Sequence, residues 1–61
     1  MQFTNQQLFD CASRELKMRR RVYPRWIEQK RLTPQKAQSE IEMMEAIENH
    51  FSVLASRERL L

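Results

Sequence analysis

The sequence predicts an all-α fold, an antiparallel helical hairpin, and three observations carry that expectation. Helix-start signals stand at Thr4 and at Thr33. Apolar residues recur at helical spacing after each of them, and nothing alternates with period two over a useful length. Only Lys30–Thr33 remain to join the two segments, and helices connected so tightly lie antiparallel. The whole chain, 1–61, reads as one hairpin domain with helix 1 over about 4–30 and helix 2 over about 34–56.

The first helix opens on Phe3-Thr4-Asn5-Gln6-Gln7-Leu8. Thr4 is placed to accept from the Gln7 amide, Gln7 to reach back to Thr4, and Phe3 to pack on Leu8 as a hydrophobic staple. Helical phase then gathers Leu8, Ala12, Leu16, Val22, Tyr23, Trp26 and Ile27 on one broad face with Cys11 at its margin, and turns Arg14, Lys17, Arg21 and Arg25 the other way. Pro24 interrupts this pattern chemically, because its ring crowds the Arg20 carbonyl and it lacks an amide hydrogen. The apolar stripe continues in phase through Trp26 and Ile27, and Tyr23 is a poor N-cap, so a kink is expected at Pro24 and not a stop.

The second helix opens with Thr33 as N-cap, Pro34 at the first helical position and Leu32 placed to meet Ala37. Its stripe is Ala37, Ile41, Met44, Ile47, Phe51, Leu54 and Ala55. A turn centred near Arg31 and Leu32 sets Trp26 against Ala37, Val22 and Tyr23 against Ile41, Leu16 against Ile47, and Ala12 against Phe51. Large residues then meet small ones at both ends, as dense packing requires. Tyr23 and Trp26 are accordingly expected in the core, with Glu40 in reach of the Tyr23 hydroxyl.

Arg19 breaks the apolar face near its centre, opposite Met44, with Glu15 one turn earlier and Glu48 across the hairpin. A structural ion triad of Glu15, Arg19 and Glu48 is the leading reading; a partner-binding arginine and a side chain snorkelling to water are the alternatives.

Composition limits the chemistry. A 61-residue chain buries only about 60% of its unfolded surface, so such chains lean on disulfides, metals or self-association. One cysteine, Cys11, excludes an internal disulfide, and Cys11 with the single His50 is too few for a metal site, so no metal or cofactor is expected and a homodimer forming a four-helix bundle is. The absence of glycine removes phosphate-cradling loops and nucleophile elbows. Glu40, Glu42, Glu45 and Glu48 read as a solvated face, and Cys11 has no base but a distant His50, so no enzyme and no catalytic residue is expected. No apolar run approaches the roughly 18 residues of a membrane span. No membrane partner is expected.

Residues 1–36 hold nine Lys/Arg against three Asp/Glu, a balance of +6, whereas residues 37–61 hold two against five, a balance of −3. Folding one half on the other neutralises much of that field and weakens the nucleic-acid signal of the net charge of +3. Arg20, Arg21 and Arg25 are the expected contacts to a protein partner. The alternative is non-specific nucleic-acid binding through Arg14, Lys17, Arg21, Arg25 and Lys30.

The run Glu15-Leu16-Lys17-Met18-Arg19-Arg20-Arg21-Val22-Tyr23-Pro24-Arg25-Trp26-Ile27, followed by Ala37, Glu40-Ile41 and Met44-Glu45-Ala46-Ile47, resembles a family of short, uncharacterised proteins of tailed bacteriophages and prophages. The Val-Tyr-Pro-Arg-Trp core is its most specific part, and similar sequences often carry glycine where this one has Lys30. The resemblance implies a phage accessory product acting in the cytoplasm of the bacterial host, of a kind that binds and modulates a host or phage protein.

Overall fold

Thr4 starts the first helix by both halves of a capping box: its hydroxyl accepts from the Gln7 amide at 3.0 Å, and the Gln7 side chain accepts from the Thr4 amide at 2.9 Å. The computed structural model describes the backbone of residues 2–60 and the side chains of residues 2–59. Within it the chain forms two α-helices, α1 over Asn5–Glu28 and α2 over Pro34–Leu60, that pack against each other as a hairpin. No strand occurs among the described residues.

α1 passes through Pro24 as one continuous helix. A proline there leaves the Arg20 carbonyl without its helical donor, and Pro24 lies on the exposed side of the helix, where water can satisfy that carbonyl. The helix ends in a Schellman motif: the Lys30 amide donates to the Ile27 carbonyl at 3.0 Å and the Arg31 amide to the Trp26 carbonyl at 2.9 Å. Such a motif needs one residue in the left-handed region, and Lys30 takes it, with φ 59°. The hydrophobic contact that usually locks the motif is replaced by Arg31 stacked over the Trp26 ring, 5.7 Å from its centroid.

Thr33 then caps α2, its hydroxyl accepting from the Lys36 amide at 3.1 Å. α2 runs one turn beyond the expected end near Ser56, and Arg57 and Arg59 in its last turn suit the negative end of the helix dipole. Its 27 residues give a rod roughly 40 Å long. The hairpin measures 47 by 17 by 16 Å, and its radius of gyration of 14.0 Å exceeds the ~10.5 Å of a compact chain of this size.

The core is thin. Among the described residues Ala12, Leu16, Tyr23, Ala37, Met44 and Ala55 are the buried apolar ones, and Ala12, Leu16 and Met44 form a cluster against which Ile41 packs. Leu16 therefore packs with Met44, one turn nearer the connection than the expected Ile47, and Ile47 stays 44% exposed. One pairing number treats the helices as a flat ladder, whereas contact residues three and four apart alternate between the two seams of a helix pair. Phe3, the expected staple on Leu8, lines a groove with it yet remains 59% exposed.

Two substitutions test these backbone readings by denaturant unfolding at one fixed protein concentration. Lys30→Gly relieves the left-handed strain and is expected to stabilise by about 1 kcal/mol, seen as a higher midpoint with an unchanged slope. Pro24→Ala restores a helical hydrogen bond and removes the ring clash, and is expected to add about 1–2 kcal/mol. A loss of stability in either variant contradicts the corresponding account.

Candidate functional site

Arg19 is the most engaged cation of α1. Its Nε donates to Glu15 Oε1 at 3.0 Å, and its Nη1 donates to the Glu40 carbonyl oxygen at 2.9 Å and reaches Glu40 Oε2 at 3.5 Å. Lys36 Nζ holds the other oxygen of Glu40 at 3.2 Å. The planar fork of arginine allows these two directions at once, one along its own helix and one across the hairpin. Glu15 is thus a partner of Arg19, whereas Glu48 is not. Glu48 lies on the opposite seam, where its Oε2 accepts from the Ser13 hydroxyl at 2.6 Å. Glu40, expected near the Tyr23 hydroxyl, is occupied by Arg19 and Lys36.

Tyr23 is buried and Trp26 half-buried, their rings 5.5 Å apart and tilted by 34°. With Arg31 stacked on it, Trp26 joins the end of α1 to the connection. The aromatics of the Val-Tyr-Pro-Arg-Trp run are in this way used within the hairpin.

Arg20, expected to reach an outside partner, sits beside the seam and bridges to Glu45 at 2.7 Å, with the two side chains 53% and 47% exposed. So exposed a pair contributes only about 0–1 kcal/mol, and Arg20 is held without being removed from water. Arg14, Lys17, Arg21 and Arg25 are different. All four are exposed, and none enters an ion pair among the described residues. They fall on one stripe of α1 roughly 16 Å long, on the side away from α2, with Lys30 exposed beyond its end. Asp10 and Glu28 flank the same stripe.

Cys11 is exposed and shares an apolar groove with Phe51, as the register predicts. His50 lines a different groove, with Val53 and Leu54, and its ring meets that of Phe51 edge-on with centroids 5.1 Å apart. Among the described residues no group of three His, Cys, Asp or Glu side chains is placed to hold a metal ion, and no helix is long and apolar enough to cross a membrane. Compared with protein-family models, curated proteins and solved structures, the chain matches none of them.

The sequence reading missed three contacts that shape this surface: Ser13 with Glu48, Arg20 with Glu45, and Arg31 over Trp26. The first two join residues on one seam, a side of the hairpin that a plot of apolar positions leaves blank. The third follows from the left-handed Lys30, which the pattern of apolar positions does not mark.

The difference between Arg19 and Arg20 is measurable. Arg19→Ala is expected to destabilise by about 1–3 kcal/mol, because it strips charged hydrogen bonds from a side chain only 21% exposed. Arg20→Ala is expected to change stability by less than about 1 kcal/mol. Equal effects in thermal or denaturant unfolding would contradict the assignment of Arg19 as the cross-helix tie.

Proposed function

We propose that this chain is a non-enzymatic accessory protein of a tailed phage or prophage, acting in the bacterial cytoplasm as a homodimer that forms a four-helix bundle. In this reading it binds and modulates a host or phage protein through the arginines of α1. The observation that carries the reading is the stripe of exposed cations that takes no part in the fold. Arg19 and Arg20 have carboxylate partners; Arg14, Lys17, Arg21 and Arg25 have none among the described residues. Cations kept together without an internal partner raise the potential of one face and favour an acidic surface brought to it. Arg21 and Arg25, with the half-held Arg20 beside them, are the proposed contacts. The phage assignment rests on the resemblance over the Val-Tyr-Pro-Arg-Trp run and its flanks.

A second reading, non-specific nucleic-acid binding, draws on the spacing of the same row, since cations three and four apart on one helix suit a phosphate backbone. Lys30 would extend it. Against this reading stand Asp10 and Glu28, which cap the stripe with negative charge at both ends.

Affinity capture from an infected bacterial lysate, with and without nuclease, separates the two. The expected result is a nuclease-resistant protein retained by the wild-type chain and lost by Arg21→Glu/Arg25→Glu. Capture that disappears with nuclease, together with salt-steep retardation of DNA or RNA, would transfer the stripe to the second reading. Identical capture by both chains would remove the stripe from either.

A further inference from the structure

We infer that the open seam of the hairpin is the face on which two copies of this chain meet, with α1 of each lying against α2 of the other. The inference rests on the homodimer reading above and adds to it the face and the pairing of helices.

The two seams of the hairpin are unlike. One is tied by polar contacts, Ser13 to Glu48 and Arg20 to Glu45. The other carries the tie of Arg19 to Glu40 at its middle and, beside it, an apolar groove of about 270 Å³, where Leu8, Cys11 and Glu15 of α1 face Ile47 and Phe51 of α2. In helical phase the row of Leu8, Cys11 and Glu15 runs on along α1 past Arg19 to Val22 and Trp26, and Met43 and Leu54 flank Ile47 along α2. Met43 and Ile47 are 51% and 44% exposed, more than a 61-residue chain with six buried apolar residues among those described has reason to leave open.

Area and charge decide the occupant. A face of 47 by 17 Å is about 800 Å² in projection, close to the ~800 Å² per partner of a standard interface, and a second hairpin laid lengthwise fills it. α1 carries six Lys/Arg against three Asp/Glu, a balance of +3, and α2 three against five, a balance of −2. Packing α1 on the partner's α1 would set two positive helices about 8–10 Å apart, within the ~10 Å screening length of moderate salt. Packing α1 on the partner's α2 alternates the sign around the bundle and makes every neighbouring pair antiparallel. The two-fold axis then runs along the helices, and Cys11 faces the region of Leu54 of the partner subunit, away from the other Cys11.

The test uses the full chain. Sedimentation at micromolar concentration is expected to give a dimer, and Ile47→Glu and Met43→Glu, both at exposed positions, are each expected to raise the dimer dissociation constant about 100-fold or more with helical circular dichroism retained. Under mild oxidation Leu54→Cys is expected to yield a disulfide-linked dimer that Cys11→Ser abolishes, while the wild-type chain does not cross-link. A wild-type monomer removes the homodimer reading itself. A dimer that tolerates both glutamates overturns the face, and a wild-type chain that cross-links readily through Cys11 overturns the pairing of α1 with α2.

Discussion

The hairpin depends on a connection that has no slack. Between the end of α1 and the cap of α2 the chain must reverse within a few residues, and it does so by putting Lys30 in the left-handed region and closing both amides of a Schellman motif. A lysine bears that conformation at a cost of roughly 1–2 kcal/mol, offset by bonds that would otherwise leave two helix-end carbonyls unmet. The reversal then places Thr33 to cap α2 and Arg31 to cover Trp26. Everything downstream follows from this direction: which residues of α2 can reach α1, and which end of the hairpin is open.

With so thin a core, polar side chains supply much of the hairpin's cross-helix definition. Arg19 ties the middle of α1 to Glu40, Ser13 ties its first half to Glu48, and Asn5 donates to Glu58 near the open end. These bonds are directional in a way that methionine and alanine packing is not, and so they favour the observed register. They also divide the surface. One seam is closed by the contacts of Ser13 with Glu48 and Arg20 with Glu45, the opposite seam sets an apolar groove beside the tie of Arg19 to Glu40, and the outer side of α1 keeps cations that no carboxylate among the described residues meets.

That division gives a small chain two separate surfaces. The proposed second copy would bury the apolar groove beside Arg19, while the proposed acidic partner would be steered by the field of the cationic stripe. Because the stripe lies on the side of α1 away from α2, closing the seam leaves Arg21 and Arg25 in water.

The sequence by itself determined the two helices, their caps and their antiparallel order, because capping boxes, N-terminal prolines and short connections act within a few residues. It also placed Arg14, Lys17, Arg21 and Arg25 on one outer stripe, since helical phase is a local property. It did not decide that Arg19 chooses Glu40 over Glu48, that Ile47 yields its core place to Met44, or that Arg20 pairs with Glu45. Those outcomes turn on which seam a residue occupies and how far it leans across the helix pair, quantities of one turn or less that periodicity averages away. Only the tertiary structure, by setting the two helices side by side, resolved them.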